Sequence, residues 1–339
     1  SRNWKCLSSS LFSLFFPIQT HIILLFFFFF KAGTDVVSLT KERGNAEKLD
    51  LTPDGQILSV STTKGFITSF LTKLPVLNAT NGTSMAYMSS LRSISVNDVA
   101  ANRPTPTEIE VTIEPTWLAL GPKHAVVGLN NKAWFHLIKP PKTGPAVMEH
   151  KYPGTVEAMA LNEKWAAALY EGQVMLHMID KQEASSNGTE TTRLFPDKDD
   201  GDQIVDVTIA GDFMIYGTVK GVISYFYLPD WATVNDYRHS EVNRGIKSLF
   251  PNPLGTRLIF GDTAGIGCMY NPVNDRVMKI PEWTASTTQV IWDKSNPSVF
   301  VTASADNLMT YVYTELTLSG PSITGVSNTP KPSNMTPLL

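Results

Sequence analysis

Short apolar segments recur along the chain at intervals of about forty residues. In each recurrence an apolar strand, a turn, a second apolar strand, another turn and an aromatic-rich strand follow one another. The recurrences span residues 49–70, 116–138, 156–179, 205–227, 246–270 and 290–313. Repeats of about 40–45 residues built from short strands are typical of β-propeller blades. The pattern predicts an all-β, WD40-like β-propeller whose blades are four-stranded antiparallel sheets.

The second segment of several repeats is apolar at consecutive positions, as in residues 125–129 and 165–170. Strands covered on both faces show such continuous apolar runs, whereas strands with one solvent-exposed face alternate between apolar and polar residues. The small residues Ala125, Gly128 and Ala166 suit the crowded approach to the central channel. These segments are therefore predicted to be inner strands, covered by the blades on either side.

The longest interval between repeats, residues 72–115, has its own apolar positions at 85–88 and 109–113 and indicates a junction between two propellers. We interpret residues 34–75 as the closing blade of a first propeller. Residues 76–339 are interpreted as most of a second propeller, truncated at the C-terminus. The last stretch, residues 319–339, is rich in Ser, Thr and Pro and is predicted to lack a strand that completes the last blade.

Residues 1–33 differ in composition from the rest, because residues 11–30 are largely apolar and end in five consecutive phenylalanines. A length of about 20 residues suits a signal or membrane segment. Sequons at Asn78, Asn81, Asn187 and Asn334 agree with secretion. The favoured interpretation is a mistranslated intron, since a Phe run needs a thymine-rich coding tract and Lys31-Ala32-Gly33 can be encoded by a sequence ending in CAG-G.

Composition excludes several classes of function. The net charge of the 339 residues is −3, and no run of Lys or Arg suggests nucleic-acid binding. Only Cys6 and Cys268 occur, so the sequence holds neither a disulfide framework nor a Cys-x-x-Cys metal site. This use of cysteine fits a reducing compartment.

Candidate metal sites do not match known spacings. The acidic run at residues 197–202 has Asp202 and Thr208 where a calcium loop needs Gly and Glu. The histidines show no paired ligand spacing; they are His21, His124, His136, His150, His177 and His239. His136 and His177 fall at matching places in third strands, which indicates a repeated structural position.

Candidate catalytic and ligand sites are equally weak. The turn at residues 261–267 lacks the Gly-Lys-Ser/Thr of a phosphate loop and precedes a strand. No Gly-x-Ser-x-Gly segment occurs, and nothing around Cys268 suggests a nucleophile. Residues 225–227 with Trp231 are interpreted as core and a loop anchor, with a ligand platform as the alternative. Trp292-Asp293 lies in a first strand, so its likeness to a Trp-Asp signature is read as coincidence. We predict no catalytic, cofactor-binding or metal-binding residue.

Several segments resemble one family more closely than any general repeat consensus. They include residues 124–135 (His-Ala-Val-Val-Gly-Leu-Asn-Asn-Lys-Ala-Trp-Phe). The others are residues 70–75, 86–91, 166–173, 190–196, 215–239, 251–260 and 271–275. Residues 36–339 are similar to the family of WD repeat-containing protein 19, the WD-repeat subunit of intraflagellar transport complex A.

The resemblance implies two N-terminal propellers followed by a long helical-repeat tail, of which this chain would be a tandem-propeller fragment. It implies a non-enzymatic scaffold acting in retrograde ciliary transport, cilium assembly and the trafficking of ciliary membrane proteins. The implied partners are other WD-repeat and helical-repeat subunits of the complex, with cargo bound through adaptors, and no nucleic acid, cofactor or small-molecule substrate. The implied locations are the cilium, its basal body and axoneme, and the cytoplasm.

Three alternatives remain open at this stage. One is a propeller interaction module that acts outside cilia. Another is a secreted or anchored glycoprotein, if residues 1–30 are genuine. A propeller enzyme is the third, and it would need paired carboxylates or a catalytic triad lining the central channel.

Overall fold

The structure is a computed structural model that describes residues 45–52, 57–71, 77–90, 92–98, 106–138, 144–179, 192–196, 201–239, 244–305, 307–318 and 320–330. Every regular element in these ranges is a β-strand. The chain divides into two compact units, residues 1–75 and 76–339. The described residues contain no helix of the length and apolarity that crossing a membrane requires. Cys6, His21, Asn187, Asn334 and the apolar residues 11–30 lie outside the described ranges.

The first unit contains one antiparallel sheet. Its strands are β1 (Ala46–Leu51), β2 (Ile57–Thr62) and β3 (Ile67–Leu71), in the order β1-β2-β3. This sheet matches the first recurrence of the sequence pattern, strand by strand.

The second unit contains six four-stranded antiparallel sheets, here called sheets 1 to 6, each formed by four consecutive strands. Sheet 1 is β4 (Asn78–Asn81), β5 (Ser84–Ser90), β6 (Ser93–Asp98) and β7 (Thr107–Glu110). Sheet 2 is β8 (Trp117–Leu120), β9 (His124–Leu129), β10 (Lys132–Leu137) and β11 (Met148–Lys151). Sheet 3 is β12 (Ala158–Leu161), β13 (Trp165–Tyr170), β14 (Gln173–Met178) and β15 (Thr192–Phe195). Sheet 4 is β16 (Ile204–Ala210), β17 (Phe213–Thr218), β18 (Val222–Tyr227) and β19 (Ala232–Arg238). Sheet 5 is β20 (Ile246–Pro251), β21 (Leu258–Asp262), β22 (Gly267–Asn271) and β23 (Arg276–Lys279). Sheet 6 is β24 (Gln289–Trp292), β25 (Val299–Ala303), β26 (Asn307–Thr314) and β27 (Ser322–Pro330).

The sheets of the second unit follow one another through their first strands. From β4 to β24, each first strand is the neighbour of the first strand of the next sheet. This is the arrangement of propeller blades, and it confirms the fold class predicted from the repeat.

Hydrophobic clusters fill the five junctions between consecutive sheets. Successive residues of one inner strand serve two junctions, because side chains alternate across a strand. Ala166 packs in the cluster between sheets 2 and 3, whereas Ala167 packs in the cluster between sheets 3 and 4. Full burial of an aliphatic side chain contributes about 1.5–3 kcal/mol. The continuous apolar runs of the inner strands follow from this two-sided burial, as the sequence predicted.

Most of the interval 72–115 is a complete sheet, sheet 1, whose first strand Asn78–Asn81 is too polar to show an apolar pattern. The expectation that the last blade lacks a strand was wrong. The C-terminal stretch does supply a strand, because Ser322–Pro330 is the fourth strand of sheet 6. It pairs along the whole of β26. Its backbone hydrogen bonds, and not its Ser- and Thr-rich side chains, place it there.

Candidate functional site

Each antiparallel sheet presents two ends. Turns between first and second strands and between third and fourth strands lie at one end, which we call face 1. Turns between second and third strands, together with the connections to the next sheet, lie at the other end, which we call face 2.

Side-chain contacts join every pair of neighbouring sheets in the second unit; five of them lie near face 1, and the contact between sheets 4 and 5 lies within the first strands. In order of junction they are Asn81 Nδ2 to Leu120 O (3.4 Å), Lys123 Nζ to Glu163 Oε2 (2.5 Å), Asn162 Nδ2 to Gly211 O (3.5 Å), Leu249 N to Asp206 Oδ2 (2.7 Å), Trp292 Nε1 to Phe250 O (3.0 Å) and Lys294 Nζ to Thr83 Oγ1 (3.2 Å). The last contact connects sheet 6 to sheet 1. A surface built on these turns therefore has its parts held at fixed positions by the blades.

Three turns between second and third strands share one hydrogen-bond arrangement. A side-chain oxygen at the end of the second strand accepts a hydrogen bond from the backbone N–H four residues later, in Thr62 (3.2 Å), Thr218 (3.0 Å) and Asp262 (2.7 Å). A glycine with positive φ, such as Gly265 (φ 78°), stands one residue before that N–H. The glycine-rich segment 261–267 is this hairpin turn, as predicted, and not a phosphate loop.

Asp262 is fully buried and its carboxylate is enclosed by other groups. Besides the Ile266 N–H, Arg244 Nη1 lies 3.4 Å and His239 Nε2 lies 3.7 Å from Asp262 Oδ2. The carboxylate thereby ties the turn of sheet 5 to the connection that precedes the sheet, which is a structural role.

The two matching histidines do occupy equivalent positions, at the fifth residue of β10 and of β14. Both are buried. His177 Nε2 lies 2.7 Å from the Tyr152 hydroxyl, and its ring stacks on His150 with centroids 4.3 Å apart. Its Nδ1 lies 3.0 Å from Met178 O, which can only accept, so Nδ1 carries a proton. The hydrogen bond between Nε2 and the Tyr152 hydroxyl connects sheets 2 and 3.

The described residues contain no group of three His, Cys, Asp or Glu side chains placed to hold a metal ion. Of the acidic run, residues 197–200 lie outside the described ranges. Asp202 Oδ1 accepts a hydrogen bond from Lys220 N at 3.1 Å. That contact is a loop contact on face 2.

The aromatic residues 225–227 are mainly core, as predicted. Tyr225 belongs to the cluster between sheets 4 and 5, and Phe226 to the cluster between sheets 3 and 4. Trp231 lies against the Phe226 ring (centroids 5.4 Å apart) and against Trp165 (4.9 Å). The residue thus anchors the turn that leads into β19.

The first strands, which approach one another at the centre of the second unit, carry few charged residues. Asp206 in β16 and Lys247 in β20 are the charged residues of these six strands. Asp206 accepts hydrogen bonds from Val207 N (2.9 Å) and from Leu249 N (2.7 Å). Burial raises the pKa of Asp206 to about 6, and these two hydrogen bonds oppose the shift. The Asp206 carboxylate therefore links the first strands of sheets 4 and 5, a role that the sequence did not suggest.

A cavity of about 450 Å³ lies between sheets 1 and 2. One wall is residues 110–113, at the end of β7 and just beyond it. The other wall is Val127, Trp134 and His136 of sheet 2 with residues 144–146. We call this cavity the sheet 1–2 groove. No pattern in the sequence indicates this groove, because its walls come from segments that only the junction brings together.

The groove combines an apolar lining with hydrogen-bond acceptors. Val127 is buried, Trp134 is half-buried, and Pro145 and Glu110 are exposed. His136 Nδ1 lies 3.4 Å from Gly144 O, an acceptor, so Nδ1 carries the proton and Nε2 has the free lone pair. Burial lowers the pKa of His136, and the hydrogen bond to Gly144 O opposes the shift. The imidazole is therefore held neutral.

Comparison with known proteins identifies the family. The family model described as the WDR19 second beta-propeller matches residues 85–339. The chain belongs to the WD repeat-containing protein 19 family. The family resemblance seen in the sequence is thereby confirmed.

Alignments with individual proteins agree with this family assignment. The chain is 37% identical to WD repeat-containing protein 19 of Mus musculus over 306 residues, and equally to that of Homo sapiens. Each alignment covers 90% of this chain. WD repeat-containing protein dyf-2 of Caenorhabditis elegans is 26% identical over 313 residues, which cover 85% of the chain. The chain spans about a fifth (22%) of the length of each of these relatives.

Solved structures agree on the fold. Kluyveromyces lactis Hsv2 aligns with a TM-score of 0.56 at 12% identity, covering 83% of this chain and 97% of that one. At this identity the likeness concerns the fold alone.

Proposed function

We propose that the chain is a non-enzymatic scaffold segment of an intraflagellar transport complex A subunit. In this role it acts in retrograde ciliary transport, cilium assembly and the trafficking of ciliary membrane proteins. The observation that supports the proposal is membership in the WD repeat-containing protein 19 family over three quarters of the chain. The proposed locations are the cilium, its basal body and axoneme, and the cytoplasm.

A scaffold role agrees with the architecture of the second unit. Its sheets are joined by a side-chain contact at each junction, and five junctions are packed through apolar clusters, so its loops have fixed positions. We propose that these loops bind other WD-repeat and helical-repeat subunits of the complex, and that cargo is bound through adaptors. Three buried groups that could do chemistry, Asp206, Asp262 and His177, are each engaged in holding sheets or turns together.

We also propose a division of the chain within the longer family members. Residues 34–75 would be the closing blade of one propeller, and the blades in residues 76–339 would belong to a second. Residues 1–33 would be absent from the native protein. Sequencing the transcript across this segment tests the last point, and a mature protein that contains residues 1–33 would contradict it.

The transport role is tested in a ciliated cell that lacks the gene for this chain. We expect short cilia with transport material accumulated at their tips, and rescue by the full-length gene. Precipitation of the full-length protein should recover the other subunits of the complex. Normal cilia after complete loss of the gene would show that the transport role is wrong.

A further inference from the structure

The fourth strand of sheet 6, β27 (Ser322–Pro330), extends further than the fourth strands of the other sheets. It has nine residues, whereas β7, β11, β15 and β23 have four each and β19 has seven. Residues 324–330 of β27 are all exposed, although the side chains of a strand alternate between its two faces. Both faces of this part of β27 are therefore open, and β27 is also the last strand in the order β24-β25-β26-β27.

The sequence of β27, Ser-Ile-Thr-Gly-Val-Ser-Asn-Thr-Pro, contains no charged residue. Each of the other five fourth strands in the described part of the second unit carries at least one; examples are Glu108, Glu149, Arg193, Asp236 and Arg276. An edge strand presents unpaired backbone N–H and C=O groups, and charged side chains are a common means of keeping other strands from pairing with it. Ile, Val and Thr favour extended structure. The edge of β27 is thus suited to accept a further strand.

A bulge in β27 limits which strand can pair there. Thr310 of β26 is opposite Ser327, and Tyr311 is opposite Gly325, so that Val326 is an extra residue in β27. A bulge bends its strand and increases the twist, which keeps the regular edge of a second folded sheet from pairing along it. A flexible segment can follow the bend. The bulge therefore favours an unfolded segment of another protein over a second copy of this chain.

We propose that the outer edge of β27 binds an extended segment of a partner subunit, which becomes a fifth strand of sheet 6. An apolar side chain of the segment packs against Val326, whose side chain is 63% exposed. When a strand is added to a sheet, backbone hydrogen bonds supply the affinity and side chains supply the specificity. The inference gives the proposed scaffold a mode of binding and rests on that function.

The test uses the full chain and a displayed library of random twelve-residue peptides. We expect the enriched peptides to be rich in β-branched and aromatic residues. The most enriched peptide is then synthesised in two forms, with methyl groups on alternate backbone nitrogens or on the intervening ones. Alternate N–H groups of a strand point to the same edge, so one form should bind at least about tenfold more weakly and the other less than about twofold more weakly. Equal losses for the two forms, or the absence of any enriched peptide, would overturn the proposal.

A matched pair of variants locates the binding site. Val326→Lys should weaken binding of the unmethylated peptide by about fivefold or more, because it removes the apolar contact and places a charge on the edge. Val234→Lys is the control, since Val234 is 54% exposed and is the extra residue at the bulge of β19. Both side chains are exposed, so both variants should fold. Binding that is indifferent to Val326→Lys, or that Val234→Lys weakens equally, would overturn the proposal.

Hydrogen exchange read by mass spectrometry identifies the strand that the peptide covers. The bound peptide should slow the exchange of β27 amides several-fold and leave those of β19 unchanged. Slower exchange confined to another sheet would overturn the proposal. A concentration-dependent dimer of the chain that Val326→Lys abolishes would also overturn it, since a second copy would then occupy the edge.

The result is separable from the test of the proposed function. If the full-length protein carrying Val326→Lys still recovers the complex while the library yields no peptide that binds as a strand, the β27 assignment alone is wrong. If the complex is not recovered even by the unaltered protein, the scaffold proposal fails whatever the library gives.

Discussion

Single side chains stabilise this protein mainly through burial, because the inner strands are covered on both faces. Ile223 in β18 is fully buried and packs in the cluster between sheets 4 and 5. Four residues earlier on the same hairpin, Val219 is 50% exposed. Two aliphatic residues of one hairpin therefore lie in very different surroundings, and substituting both tests how much burial at a position contributes to stability.

Replacing Ile223 with alanine should lower the free energy of unfolding by about 2–5 kcal/mol, because the surroundings close only partly around the missing methyl groups. Val219→Ala should change it by less than about 0.5 kcal/mol. Chemical denaturation of both variants measures the difference. Equal effects at the two positions would contradict the packing described for β18.

Glycine is required at the turns of face 2 for two separable reasons. A Cβ on Gly265, at φ 78°, would lie 2.9 Å from Ala285 Cβ, whereas a Cβ on Gly201, at φ 70°, would meet nothing within 4 Å. The left-handed backbone costs a non-glycine residue roughly 1–2 kcal/mol. We expect Gly201→Ala to lose about that much and Gly265→Ala to lose more. Thermal unfolding of the two variants measures both losses of stability. A larger loss for Gly201→Ala than for Gly265→Ala would contradict the contact described at Gly265.

The strands differ in how well the sequence predicts them. The first three strands were predicted for the sheet of the first unit and for sheets 2 to 6, because strands covered on both faces show clear apolar runs. The fourth strands were not predicted from the sequence. For example, β15 has the sequence Thr-Arg-Leu-Phe and β27 is rich in Ser and Thr. Outer strands are held by backbone hydrogen bonds at one edge, so their side chains are free to be polar. A hydrophobic pattern cannot identify them.

The candidate sites were even less accessible to sequence reasoning. Asp206 contacts the N–H of Leu249, 43 residues away, and the groove brings Glu110 near Trp134 across a junction. Neither pairing has a local signature, since each depends on how two sheets pack. The sequence did identify correctly what is structural: the matching histidines, the glycine-rich turn and the aromatic residues of β18.

The buried Asp206 carboxyl should make the free energy of unfolding depend on pH. The pKa of this carboxyl is about 6 in the folded protein, against an ordinary 3.8, so the folded state binds more protons than the unfolded state between about pH 4 and pH 6. Stability from this group is therefore greatest below pH 4 and falls, by an amount on the order of 2 kcal/mol, as the pH rises to about 6.

Asp206→Asn should remove this contribution. Denaturation measured from pH 4 to pH 7 should show the unaltered chain losing stability relative to Asp206→Asn as the pH rises. Asp212→Asn, an exposed carboxylate on the next turn, is the control and should leave the profile unchanged. A constant difference between the chain and Asp206→Asn at all pH values would contradict the assignment.

At the scale of the whole second unit, the six junctions are not alike. Five contain a hydrophobic cluster, whereas between sheets 6 and 1 the described residues show the Lys294–Thr83 hydrogen bond and no such cluster. The aliphatic stem of Lys294 also lies against Gly82, where a Cβ would come within 2.5 Å of Lys294 Cε. Regions with few buried apolar contacts open at the lowest free energy. The junction of sheets 6 and 1 is therefore expected to be the weakest.

Lys294→Met tests this, because methionine keeps much of the apolar stem and removes the donor to Thr83. We expect backbone amides of β4, β5 and β24 to exchange hydrogen several-fold faster, while β13 and β17 in the central sheets stay unchanged. The matched control is Lys123→Met, which removes an ion pair between sheets 2 and 3, where the cluster around Phe135 and Tyr170 remains. Its effect should be small, since an exposed ion pair contributes only about 0–1 kcal/mol. Hydrogen exchange read by mass spectrometry distinguishes the two variants. If both variants leave exchange unchanged at their own junctions, Lys294 is not what holds sheet 6 to sheet 1, and the connection must depend on the backbone of the turns instead.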